Sequence, residues 1–137
     1  MKIAIIGSRT FTNYQLLEDI VDQYKNVNQV HYTAVVSGGA KGADTLAERY
    51  AEKNNLKKII YYPDWDRYGK KAGFLRNTTI IEDADVVFAF WDGHSMGTLD
   101  SINKAKERNK TVIITDFLKI KKAPKIRYLF DLPLDFK

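Results

Sequence analysis

The apolar run Thr33 to Val36 leads straight into Ser37-Gly38-Gly39-Ala40-Lys41-Gly42-Ala43-Asp44, and a helical pattern opens immediately behind it. A strand that ends in glycines and turns directly into a helix leaves backbone N–H groups unpaired, at the end where the aligned peptide dipoles favour an anion. The stretch therefore admits two readings: a phosphate seat, or a tight strand-to-helix turn with no ligand. A Walker loop requires Gly-Lys followed by Ser or Thr, whereas Lys41 here precedes Gly42 and Ala43 follows it. A dinucleotide fingerprint requires G-x-G-x-x-G, and the order here is Gly38-Gly39-x-x-Gly42. Both an ATPase and an ordinary NAD dehydrogenase are disfavoured.

The rest of the chain repeats the same alternation. Ile3 to Ile6 is a short, wholly apolar run of the kind buried on both faces, and it ends at Gly7-Ser8-Arg9. Asn13 is placed to cap a helix from Tyr14 to Lys25, with Leu16, Leu17, Ile20, Val21 and Tyr24 on one face. Ala43, Leu46, Ala47, Tyr50 and Ala51 mark the helix after the glycine stretch, which fades at Asn54-Asn55. Lys58 to Tyr62 reads as a third strand ended by Pro63, followed by about ten loop residues, Asp64 to Gly73, and a helix to about Asp83. Asp85 to Trp91 is a strongly apolar fourth strand. A second glycine turn, Asp92 to Thr98, opens a helix burying Leu99, Ile102 and Ala105, and Thr111 to Thr115 is the fifth strand.

Continuous apolar strands separated by helices predict an α/β fold with parallel strands at 2–6, 33–37, 58–62, 85–91 and 111–115 and helices on both faces, a three-layer αβα sandwich. In such sheets ligands bind beyond the carboxyl ends of the strands, where all the unusual loops lie. One domain is expected over residues 1–115, with residues 116–137 as a basic extension packed on it. Of the net charge of +5, residues 1–115 hold 16 Lys and Arg against 14 Asp and Glu, so +3 falls in the extension. Lys119, Lys121, Lys122, Lys125 and Arg127 offer a contact to nucleic acid, but a short charge run is more often a solvated face, and nucleic acid is not the expected partner. There is no cysteine, and His31 and His94 lie far apart in the sequence, so no metal site is expected and no cofactor is called for. No apolar run approaches the roughly 20 residues of a membrane helix, and no signal peptide precedes the first strand, so the cytoplasm is the expected compartment.

Among groups that do chemistry, the two glycine turns offer two anion seats. Ser95 and Thr98 add hydroxyls, or cap the fourth helix. Arg9 and Arg76 suit bidentate bonds to phosphate or carboxylate, Arg76 from the inner side of its helix, with Gly73 and Asn77 beside it. Trp65 and Tyr68, with Lys70 nearby, offer a flat surface for a base, or a lid over the sheet edge. Asp44 takes ribose hydroxyls or bonds its own loop's amides, the second role being usual for a carboxylate in a first helical turn.

Taken together, Gly7-Ser8-Arg9, Ser37 to Asp44 without Lys41, Pro63-Asp64-Trp65 with Tyr68-Gly69-Lys70, Ala72-Gly73 with Arg76-Asn77, and Asp92-Gly93 with Gly97-Thr98 resemble the SLOG superfamily, and within it the DUF2493 (YspA-like) group. The resemblance spans nearly all of residues 1–115. It implies a Rossmann-like sheet that binds nucleotides or nucleotide-derived signals at those loops, and a homodimer or higher homo-oligomer. The superfamily also holds the DNA-uptake protein DprA and the LOG phosphoribohydrolases. LOG enzymes pair an arginine with a Gly-Gly-x-Gly-Thr-x-x-Glu turn; Arg76 and Gly97-Thr98 match, but Ser101 stands at the glutamate position and Asp100 is one residue early. A one-residue step turns a helical side chain by about 100°, and glycosidic cleavage needs a carboxylate held near the ribose. The expected function is therefore binding of a nucleotide-derived ligand, with a nucleotide N-glycosidase and a DprA-like DNA-binding module as alternatives. The sequence carries no effector domain, which leans the expectation toward a sequestering role or toward a partner supplied separately.

Overall fold

The computed structural model describes residues 1–124 and the strand pair 135–136. Strands β1 (Lys2–Gly7), β2 (Ala34–Ser37), β3 (Lys57–Ile60), β4 (Val86–Trp91), β5 (Thr111–Asp116) and β6 (Asp135–Phe136) form one sheet in the order β3-β2-β1-β4-β5-β6. Every pairing is parallel, with Ile3 opposite Val35 on one side and Val86 on the other. The expected parallel α/β sheet is present. The ends differ by a residue or two, β3 stopping at Ile60 where a run to Tyr62 was expected, and β6 adds a strand that periodicity does not announce.

The continuous apolar runs have a direct cause. Ile3 and Ile5 of β1 face a core shared with Leu16, Leu17, Ile20 and Val21 of α1 (Tyr14–Asn28) and Ala43, Ala47 and Tyr50 of α2 (Ala43–Lys53). Ala4 and Ile6 face the opposite core, with Ile80 and Ile81 of α4 (Ala72–Asp83) and Ile102 and Ala105 of α5 (Met96–Glu107). Both faces of each central strand are covered, so neither can be polar. The Asn13 cap is present, its side chain accepting from the Leu16 N–H at 3.1 Å.

The ten residues read as a loop coil instead into α3 (Trp65–Tyr68) and a 3-10 turn, Gly69–Lys71, that runs into α4. Asp64 caps α3 by accepting from the Arg67 N–H at 3.2 Å. After β5, Phe117 is buried and Ile120 and Ala123 pack on the α1 side of the sheet. Lys125 and Arg127, in the basic run, lie outside the described residues. No helix among the described residues is long and apolar enough to cross a membrane.

Helices α1 and α2 lie on one face and α4 and α5 on the other, so the connections after β1 and β4 diverge from neighbouring strands. That divergence opens a crevice at their carboxyl ends.

Candidate functional site

The crevice is closed at its base by the Ser8 N–H donating to Phe90 O at 2.9 Å, and by Ser8 Oγ accepting from the Asp92 N–H at 3.1 Å. Above it, a cavity of about 120 Å³ lies between Gly7 and Arg9, the glycine loop at Ala40 and Asp44, Arg76 and Asn77 of α4, and Ser95, Gly97, Thr98 and Ser101 of α5. Four segments of the chain, from Gly7 to Ser101, converge there, at the end of the sheet that the strand pattern predicts.

The glycines divide by what surrounds them. A Cβ on Gly7 would strike Phe90 O, and one on Gly42 would strike the carbonyls of Ser8 and Arg9. On Gly38 it would meet the Arg76 guanidinium, and on Gly39, at φ +73°, the Tyr62 ring. These four are explained by the protein's own close packing, without a ligand. Gly97 is different: it lines the cavity, and apart from its chain neighbours and its own helix backbone no atom of the described residues lies within 4 Å of its Cβ position.

The backbone donors at the two turns are partly taken by the protein itself. In the glycine loop, the Ala40 N–H donates to Asp44 Oδ2 at 3.1 Å and the Ala43 N–H to Ser8 O at 3.3 Å. Asp44, 6% exposed, thus organises its own loop while forming part of the cavity wall. Burial pushes its carboxyl above the usual carboxylate range, opposed by the Ala40 N–H, the charge of Arg76 and the Ser37 hydroxyl. At the second turn, Asp92 Oδ1 accepts from the N–H groups of His94 and Ser95 at 2.8 and 2.7 Å. Against the opposing effect of burial, these bonds hold the Asp92 carboxyl below its ordinary range. Asp92 therefore shapes the turn, with exposed Gly93 at φ +84°. The amides of Met96, Gly97 and Thr98 at the α5 N-terminus carry no bond among the described residues, and Thr98 Oγ1 donates to Ser95 Oγ at 3.1 Å. Amides without a bond among the described residues remain at both turns, those of Gly39, Lys41 and Gly42 at the first and those of Met96, Gly97 and Thr98 at the second, but the first turn also presents the Asp44 carboxylate.

Arg76 Nη1 donates to Gly38 O at 2.5 Å and to Tyr61 O at 3.2 Å, and its Nε donates to Asn77 Oδ1 at 3.1 Å. It ties the ends of β2 and β3 to α4. Burial lowers its pKa, with the charge of Asp44 acting the other way. Asn77 Nδ2 donates to Gly97 O at 3.3 Å and to Asp100 Oδ2 at 3.2 Å. Asp100 also accepts from Lys104 Nζ at 2.8 Å, so its carboxylate is already paired, while buried Ser101 lines the cavity.

Of the stacking candidates, Trp65 sits over Gly73, its ring 3.5 Å from a Cβ placed there, and neither lines the cavity. Lys70 is exposed. Tyr68 lines a second groove with Tyr62, which was expected as the last residue of the third strand and lies instead beyond its end at Ile60. The Pro63 that follows Tyr62 was the available sign that the strand ends early.

Residues 1–68 match the family described as YAcAr: YspA, cpYpsA-related SLOG family. The Gene 61 protein of Mycobacterium phage D29 is 34% identical over 122 residues, covering 82% of this chain and 94% of that protein. DNA processing protein A from Helicobacter pylori, solved in a study of its single-stranded DNA binding mode, aligns with a TM-score of 0.62 at 24% identity over 84% of this chain and 65% of its own. The Streptococcus pneumoniae protein DprA aligns at 0.66 and 23% identity over 96% and 52%, and TM1055 at 0.60 and 19% over 82% and 72%. The chain thus spans between half and two thirds of the two DprA chains, and at these identities the likeness establishes the fold.

Proposed function

The chain belongs to the YspA, cpYpsA-related SLOG family, and from that premise we propose that it binds a nucleotide-derived ligand, an ADP-ribose derivative or an oligonucleotide signal, as a sensor or a sequestering protein. The observation that carries this is the polarity of the cavity. One wall is the Asp44 carboxylate; the other is the α5 N-terminus, with three free amides and the Thr98 hydroxyl, and Arg9 at the rim. An anion is repelled by the first and held by the second, while sugar hydroxyls suit a carboxylate acceptor. A phosphate belongs at α5 and a ribose at Asp44, so that of the two expected anion seats this reading keeps the one at the second turn.

Calorimetric titration with ribose 5-phosphate, AMP, ADP-ribose and cyclic dinucleotides tests this. Arg9→Ala and Thr98→Val are expected to weaken whichever compound binds without unfolding the protein. Binding that both variants leave unchanged places the site elsewhere. Hydrolysis of AMP to adenine and ribose 5-phosphate is not expected, because Asp100 is paired with Lys104 and Ser101 offers only a hydroxyl. Chromatography of the same incubations checks it.

A second reading, single-stranded DNA, is favoured by the exposed aromatics Trp65 and Tyr68 beside Arg67, Lys70 and Lys71. The small charge excess argues for weak, salt-sensitive binding, so tight binding of oligo(dT) at about 0.2 M salt would put this reading first. Homodimerisation, expected from the family resemblance, is measured by sedimentation.

A further inference from the structure

The cavity of about 120 Å³ is well below the roughly 300 Å³ at which small-molecule sites usually begin. It has room for a ribose phosphate but not for a whole nucleotide. Beside it, beyond Arg76, lies a groove of about 400 Å³ between the end of β3, α3 and the outer side of α4. Among the described residues Arg76 is the one wall the two spaces share. Its Nη1 and Nε are held by Gly38, Tyr61 and Asn77, while Nη2 carries no bond among the described residues. A charged donor is therefore held rigidly at the boundary with bonding capacity to spare.

The groove has the opposite chemistry to the cavity. Apart from Arg76 and the two tyrosine hydroxyls, its polar side chains are occupied: the Thr78 and Thr79 hydroxyls donate to Phe74 O and Leu75 O, and Asp64 caps α3. What it presents is flat or aliphatic surface, from Tyr62, Tyr68 and Leu75. The Arg67 guanidinium already lies 5.1 Å from the Tyr68 ring centroid. Tyr62, 69% exposed, packs its ring edge against Gly39 of the loop that closes the cavity. An aromatic ring held at the mouth of a polar site with its surface in water is a platform for another π system.

We propose that this groove receives the nucleoside half of a two-lobed ligand, with ribose 5-phosphate in the cavity, a bridging phosphate on Arg76 and a base against Tyr62. The ligand class is then a nucleoside diphosphate sugar or a dinucleotide, and a mononucleotide fills only part of the site. This rests on the reading that the cavity holds a ribose phosphate, and the experiment separates the two.

Ribose 5-phosphate and ADP-ribose are titrated into the parent protein and into Tyr62→Ala, an exposed position whose loss leaves the core intact. Ribose 5-phosphate is expected to bind both proteins alike. ADP-ribose is expected to bind the parent at least about tenfold more tightly than ribose 5-phosphate, the scale of one base stacked on an aromatic ring, and Tyr62→Ala is expected to remove that gain. If ribose 5-phosphate binds and ADP-ribose is no tighter, or its gain survives in Tyr62→Ala, the groove is not the second lobe. If neither compound binds, the cavity reading fails and this inference falls with it. Sedimentation of Leu75→Glu completes the test: a dimer that becomes a monomer while ADP-ribose shows no gain over ribose 5-phosphate makes the groove an interface between copies.

Discussion

Gly97→Ala separates folding from binding because the two effects have opposite signs. Gly97 is the second residue of α5, outside the left-handed region, with no atom of the described residues within 4 Å of its Cβ position apart from its chain neighbours and its own helix backbone. Alanine fits without strain. The gain in helix propensity is about 0.5–1 kcal/mol, at the lower end because the position is in the first turn. An unfolding entropy of about 2.1 cal/mol/K per residue gives roughly 0.29 kcal/mol/K for a chain of this length, so Tm rises by about 2–3 °C. The same methyl lies beside the free amides of Met96, Gly97 and Thr98. Displacing a phosphate from one of them removes a charge-assisted hydrogen bond of about 1.5–3 kcal/mol, roughly a 10- to 150-fold rise in Kd. Thermal melts and calorimetric titration of ribose 5-phosphate, on the same samples, read both quantities. A higher Tm with unchanged Kd would show that the α5 N-terminus is not the anion seat, and a lower Tm would refute the steric argument.

Two further substitutions test the supports of the cavity. Arg76→Ala leaves Gly38 O and Tyr61 O without their donor, and is expected to cost about 2–4 kcal/mol in urea unfolding; Arg76→Lys, which lacks the planar fork, should recover less than half. Burial raises the pKa of the Asp44 carboxyl above its ordinary value of 3.8, so the folded state holds its proton more tightly than the unfolded chain. Its contribution is therefore fully present below pH 3.8 and is lost as pH rises through the folded value. Asp44→Asn removes this decline, so the stability of the variant relative to the parent should climb with pH above 3.8 and then level off, as followed by urea midpoints across pH. A flat difference would mean that Asp44 is not raised.

The sequence by itself determined the layers of this protein. Ile3 to Ile6 and Val86 to Phe90 had to be buried on both faces because no polar residue interrupts them, and that forces helices above and below a parallel sheet. It also placed the unusual loops at one end, since in such a sheet every strand-to-helix connection emerges on the same side. Arg76, Asn77, Gly97 and Thr98 were legible for the same reason: their helices begin at that end.

What only the tertiary structure decided is which of these groups are already spent. Ser8 O and Asp44 take two amides of the glycine loop, Asp92 takes two of the second turn, and Lys104 takes Asp100. Gly39 is required by Tyr62, which arrives from the end of another strand. Periodicity reports which face of an element is buried, but a donor's partner may lie 35 or more residues away in the chain, as Ser8 does from Ala43. Whether an amide is satisfied depends on that distance in space, and so does the placing of the Asp44 carboxylate in the cavity wall, which is why the anion is proposed at α5 and not at the glycine-rich loop.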